Sequence, residues 1–177
     1  MMMILGAVAL LVLTAAVVLL FAMVGELSSR VPEAREEQHV TPYSDFTAGA
    51  TAQEWPAGLA HLADRPAATV LVLSSICTTC ANVAQELSSY TRQTLGDVGI
   101  VVSCAAAPVG VDFVEHYGLD HLPHHVDEGG SWMATNFGVK MSPTALRFQR
   151  GVLVEAYTFS KVQPLLGQIS KVLEGVS

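Results

Sequence analysis

Cys77-Thr78-Thr79-Cys80 is the pair of side chains in this sequence whose type and spacing best suit covalent chemistry. Two cysteines separated by two residues can close a small disulfide ring. If a helix starts there, its open N–H groups and macrodipole stabilise a thiolate on the first sulfur. Cys77 is then the nucleophile that forms a mixed disulfide with a substrate. Cys80, one helical turn on, attacks Cys77 and releases the reduced partner, and the reverse steps oxidise a dithiol. Other uses of the pair fit less well. A structural zinc site needs a second ligand pair, and Cys104 with the six histidines supplies none beyond the weak His116 to His121 spacing. Haem attachment needs a histidine directly after the second cysteine, where Ala81 stands. His121, His124 and His125 read as loop histidines rather than metal ligands. A purely structural disulfide stays open as an alternative. No metal and no organic cofactor is expected.

The elements around the pair predict where it sits. Thr69 to Ser74 is a continuous apolar run rich in β-branched residues, the pattern of a strand buried on both faces. Ala81 to Arg92 places Val83, Ala84, Leu87 and Tyr90 at helical spacing. Strand, dithiol and helix therefore follow one another, with the cysteines at the helix amino end. Gly99 to Ser103 reads as a second buried strand, and Val111 to Tyr117 as a short helix stopped by Gly118. His124 to Asp127 suits a further short strand, and Ser131 an N-cap for a helix through Phe137 that ends at Gly138. Trp132 and Phe137 are expected in the core. Thr144 to Phe148 and Val152 to Tyr157 flank Gln149-Arg150-Gly151 as an antiparallel hairpin. Lys161 to Leu173 closes the chain as an amphipathic helix. Cys104 follows the second strand, at the same carboxyl edge of the sheet as the dithiol, where open α/β sheets place their sites. It reads either as a possible third redox thiol or as one more small buried residue.

Composition narrows the setting. The chain of 177 residues has room for one domain and an anchor, and its hydrophobic fraction of 51% is raised by an apolar excess in the first 25 residues. Ile4 to Val24 carries no charge, and about 20 helical residues cover the ~30 Å hydrocarbon core of a bilayer. We therefore expect a single-pass transmembrane anchor over residues 1–25, a polar tether and domain lead-in over 26–55, and the soluble domain over 56–177. A cleaved signal peptide fits less well, because no Lys or Arg precedes the run and no Ala-x-Ala site follows it. Arg30 and Arg35 after the run point to a cytoplasmic domain by the positive-inside rule. The usual placement of anchored redox domains favours the extracytoplasmic side of the cell membrane, and that is the expectation adopted. A net charge of −7 with 9 scattered Lys and Arg residues argues against nucleic acid as a partner.

Strand, Cys77-Thr78-Thr79-Cys80, helix, then Met141-Ser142-Pro143-Thr144 before a hairpin is similar to the thioredoxin superfamily. The match covers about residues 56–173. The apolar terminal run, Gly99 to Ser103, Phe113 to Leu119 and Phe137 to Pro143 look most like the membrane-anchored TlpA-like and MauD-like thiol–disulfide interchange proteins. The resemblance implies an α/β thioredoxin-like fold, a central mixed β-sheet flanked by helices. It also implies a cis peptide bond before Pro143 and a substrate groove formed by Ser142 and Pro143 with Ile76, Thr78 and Thr79. The implied partners are protein thiol or disulfide substrates. The chain departs from thioredoxin in having Ile76 where an aromatic residue precedes the first cysteine, and Thr78-Thr79 in place of Gly-Pro. Thr69 to Ser74 also lacks the buried acid that assists proton transfer to the resolving cysteine, so water or another group must serve. Two other functions share this fold: a non-catalytic accessory subunit of a larger membrane complex, and a peroxiredoxin-like peroxidase, imitated only superficially by Ser74-x-x-Cys77.

Overall fold

The computed structural model describes residues 6, 13–19 and 39–174, with side chains in the last helix described as far as 169. Contacts divide the chain into Met1–Gln38 and His39–Ser177. In the first unit residues 6 and 13–19 are helical. No helix among the described residues is long and apolar enough to cross a membrane. Most of the expected anchor, and residues 26–38 of the expected tether, lie outside the described residues.

The second unit is built on a six-stranded sheet of order β1-β6-β5-β2-β3-β4. The strands are β1 (Val40–Pro42), β2 (Ala68–Ser74), β3 (Val98–Cys104), β4 (His124–Glu128), β5 (Thr144–Gln149) and β6 (Val152–Phe159). β2, β3 and β4 run parallel, while β5 is antiparallel to β2 and β6, and β1 to β6. Among the described residues five α-helices complete it: α1 (Thr78–Leu87), α2 (Arg92–Leu95), α3 (Ala107–His116), α4 (Ser131–Phe137) and α5 (Val162–Glu174). Strand alternation sorts β2 between two cores. Leu71 and Leu73 pack with Val83, Leu87, Phe113 and Leu165, from α1, α3 and α5. Val70 and Val72 face the other way, toward Leu59, Leu62, Met133 and Phe137. On that second face Trp55 and Phe137 each meet Phe148 edge-on, with ring centroids 5.1 Å apart in both pairs. Phe137 is buried as expected, while Trp132 is half-buried and donates from its indole N–H to the Glu54 carbonyl at 3.0 Å.

The compact unit begins at His39, within the stretch read from sequence as tether and lead-in. β1 pairs with β6, and beyond it Tyr43, Gly49 and Ala50 bond to the backbone of Ala156 and Leu153, extending that edge. A strand of three residues is too short to show a periodicity of its own. The helix boundaries also move for local reasons. α1 stops at Leu87, where the Ser88 and Ser89 hydroxyls turn back onto the Gln85 and Glu86 carbonyls. Thr91 then caps the short α2 by accepting from the Thr94 N–H at 3.2 Å. α4 starts at Ser131 itself, so Ser131 is not its cap. Gly130 occupies the capping position, and Asp127 reaches from β4 to accept from the N–H groups of Trp132 at 2.9 Å and Met133 at 3.0 Å. The hairpin turn places Arg150 at φ 48° and Gly151 at φ 75°, the two positive values of a type I′ turn.

Candidate functional site

β2 delivers the chain to the carboxyl edge of the sheet, and the turn there is tied on both sides. Ser75 N–H donates to the Ser103 carbonyl at 3.0 Å, and Cys77 N–H to the Ser74 carbonyl at 3.2 Å. Cys77 is the N-cap of α1, extended at φ −96° and ψ 119°. Its sulfur takes the place of a capping oxygen and accepts from the Cys80 N–H at 3.2 Å. That arrangement aims a backbone N–H dipole at the Cys77 sulfur. Cys77 is half-buried, while Cys80 is sealed beneath it at 0% exposure. The two cysteines therefore differ in access by virtue of one helical turn. All three cysteines are free thiols.

Cys80 is electrostatically the more perturbed. Burial, the hydrogen bond with Cys77 and the charge on Cys77 push its thiol up from 9.0 to about 12, against the opposing pull of the Ser74 backbone and the Ser142 hydroxyl. It stays protonated at neutral pH.

The loop before β5 closes the site. Ser142-Pro143 is a cis peptide, as the resemblance implied, and the Ser142 carbonyl lies 3.9 Å from the Cys77 sulfur, which donates to it. The neighbouring carbonyls are committed elsewhere: Met141 accepts from the Thr144 hydroxyl at 2.7 Å and Pro143 from the Phe159 N–H at 3.4 Å. Of these three carbonyls, that of Ser142 is thus the one beside the Cys77 sulfur. Pro143 is buried, Thr79 and Ser142 are half-buried, and Thr78 is exposed. Ile76 is 89% exposed and Met141 51%, an unusual outlay of apolar surface beside the dithiol. Met141 is not apparent as a site residue from sequence. The signal that marks it is its place two residues before the cis proline. A cavity of about 210 Å³ opens next to the site, lined by Ser74, Ser103, Lys140, Met141 and Ser142 among others.

Cys104 ends β3 at the same edge but has its own surroundings. It is 5% exposed, donates to the Asp127 carbonyl at 3.9 Å, and packs so closely that a side chain on Gly110 would meet its sulfur. Burial raises its thiol above the ordinary value, and the Glu128 and Asp127 carboxylates add to this. His121 is held by the Gly118 and Tyr90 carbonyls, both at 2.9 Å, and His124 by that of Leu122 at 2.9 Å. His125 meets the ring of Trp132 edge-on, and burial lowers its imidazole. No cluster of three metal-ligating side chains occurs among the described residues.

A mixed sheet flanked by helices, with a dithiol at the first helix's amino end facing a cis proline, is the thioredoxin-like fold. Among solved structures similar to this chain is a Bacteroides thetaiotaomicron protein described as a protein disulfide isomerase. It matches with a TM-score of 0.53 and 12% identity, over 72% of this chain and 89% of its own. A Chlorobium tepidum protein described as the thiol:disulfide interchange protein DsbE matches with a TM-score of 0.53 and 13% identity, over 74% of this chain and 99% of its own. No family model and no curated protein matches the sequence.

Proposed function

We propose that this chain is a thiol–disulfide oxidoreductase that exchanges disulfides with protein substrates through Cys77 and Cys80. On this reading it is of the membrane-anchored TlpA-like and MauD-like kind, held at the extracytoplasmic face of the cell membrane by its N-terminal apolar run. The observation that carries the reading is the pairing of a half-buried Cys77 at the N-cap of α1 with a sealed Cys80 one turn below, opposite the Ser142 carbonyl. The printed descriptions of the two similar structures point the same way.

The steps follow from the geometry. The Cys77 thiolate attacks one sulfur of a substrate disulfide. A Cys77–substrate bond forms, and the other substrate sulfur leaves as thiolate. Cys80 loses its proton and attacks the Cys77 sulfur in line with the mixed disulfide, closing Cys77–Cys80 and expelling the second substrate thiolate. Two electrons pass from the dithiol to the substrate. An external thiol resets the pair, and an external disulfide drives the reverse course. Ile76 and Met141 give the substrate's flanking residues an apolar rim to lie on.

The test is covalent trapping. The full chain carrying Cys80→Ser is mixed with a disulfide-bonded protein and analysed without reduction. A persistent adduct through Cys77, lost in Cys77→Ser and transient in the wild type, is expected. Equal behaviour of all three proteins would overturn the reading. Labelling of the thiols in intact cells with membrane-impermeant maleimide tests the placement: labelling by a permeant reagent alone would sink the extracytoplasmic assignment.

A further inference from the structure

A polar row crosses the sheet at the end of β2 away from the dithiol. Glu155, Arg147 and Thr69 are ladder partners across β6, β5 and β2, on the face that also carries Leu71 and Ala145. Arg147 is 4% exposed. Its Nη1 lies 3.4 Å from Glu155 Oε2, yet this nitrogen is buried and makes no hydrogen bond. The same Glu155 oxygen instead accepts from the Tyr157 hydroxyl at 2.8 Å. Burying a guanidinium is costly unless its N–H groups find acceptors, and here the fold leaves them short of one. Arg147 also forms part of the wall of two adjoining clefts, of about 390 Å³ and 710 Å³, which share Pro66 and Ala67 as well. Leu95 and Ile169 line the smaller, and Val152 and Val154 the larger. The carboxylate among the described lining residues is Asp97, already held by Arg65 at 3.2 Å, while Arg150 adds a second positive charge to the larger cleft. Clefts of this size and character take small molecules.

We propose that these clefts form a binding site for an amphiphilic carboxylate, a single anionic head on an unbranched apolar tail. The head accepts hydrogen bonds from the Arg147 guanidinium, and the tail lies against Ala67, Leu95 and Ile169. One guanidinium among apolar walls selects a ligand with one charge and an apolar body. A carboxylate suits it better than other heads, because its two oxygens match the planar fork of N–H groups. It also supplies the acceptors that Glu155, shared with Tyr157, does not. The site stands at the opposite end of β2 from Cys77 and Cys80 and is independent of the exchange chemistry proposed above.

The isoleucines of the chain are Ile4, Ile76, Ile100 and Ile169. Methyl labelling of isoleucine for NMR therefore reads the cleft through Ile169, the rim of the dithiol through Ile76 and the core through Ile100. The full chain in phosphatidylcholine nanodiscs is titrated with octanoate, and with octan-1-ol and acetate as probes that lack the charge or the tail. Octanoate is expected to shift Ile169 saturably while Ile76 and Ile100 stay in place, and to bind about tenfold or more tighter than either other probe. Arg147→Met is expected to lose about tenfold or more in octanoate affinity. Glu155 is 40% exposed and keeps the Tyr157 hydroxyl, so that variant leaves no sealed lone charge. Ala67→Trp fills the shared wall with the arginine in place and should abolish the shift; an Ile100 signal at its wild-type position reports an intact core. Should Arg147→Met disturb Ile100, Ala67→Trp and the three probes decide. An Ile169 signal that octanoate leaves unmoved in the wild type would overturn the proposal. So would equal affinity for octan-1-ol, or equal octanoate binding by the wild type and Ala67→Trp.

Discussion

Replacing Asp127 by alanine removes the group that starts α4, the helix from which the chain runs on to Lys140, Met141 and Ser142. Asp127 is 2% exposed, and its two oxygens accept from the N–H groups of Trp132 and Met133. Gly130 at the capping position brings no side chain to replace it. Loss of a capping side chain costs about 0.5–2 kcal/mol. Each hydrogen bond to a charged acceptor contributes about 1.5–3 kcal/mol, and the Met133 N–H is left buried without a partner. The carboxylate's own desolvation is relieved in the variant and offsets part of this, so the expected net loss is about 3 kcal/mol. In a domain of this size, 1 kcal/mol moves the midpoint by roughly 3 °C, which predicts a fall of about 10 °C. Thermal unfolding followed by near-ultraviolet circular dichroism, with Trp55 and Trp132 as reporters, measures it. Asp120→Ala, at an exposed position, is the control and is expected to shift stability by less than about 0.5 kcal/mol. A fall of under about 3 °C for Asp127→Ala would refute the assignment of Asp127 as the cap that holds α4.

The raised Cys80 thiol makes stability depend on pH. Cys80 titrates near 9.0 when unfolded and at about 12 in the fold, so between those values the unfolded chain binds fewer protons and the native state loses stability as pH rises. Urea midpoints of the reduced protein should fall from about pH 8 to about pH 11, and Cys80→Ser should remove much of the fall. The same burial predicts that iodoacetamide at neutral pH alkylates Cys77 well ahead of Cys80, read by peptide mass. At Gly58 a Cβ would collide with the His124 carbonyl on the backbone of β4. Gly58→Ala is expected to destabilise by more than about 2 kcal/mol in chemical denaturation.

The parallel half of the fold was legible because its signals are local. β2 and β3 are continuous apolar runs, the dithiol separates β2 from an amphipathic segment, and Gly118, Gly138 and Gly151 mark turns that all have positive φ. The hairpin emerged from its two apolar runs and the glycine between them. What escaped notice depends on distant partners. β1 exists through its pairing with β6, and Asp127 caps a helix from a different element. Arg147 looks like an exposed strand residue in sequence. It is 4% exposed, paired across the ladder with Glu155 at 3.4 Å, and lines a cleft that Ile169 of α5 also borders. At the site, the order of Cys77 and Cys80 could be read from spacing. The approach of the Ser142 carbonyl to Cys77 could not, since a sequence separation of more than sixty residues is closed only by the antiparallel return of β5 onto β2.

The most direct test of the central claim is a redox titration of the full chain in buffers of graded thiol and disulfide content, quenched with an alkylating reagent and read by mass. The account predicts one reversible two-electron transition in which Cys77 and Cys80 gain and lose two labels together while Cys104 stays a thiol throughout. Alkylation of both Cys77 and Cys80 at every poise, or a disulfide that recruits Cys104, would contradict it.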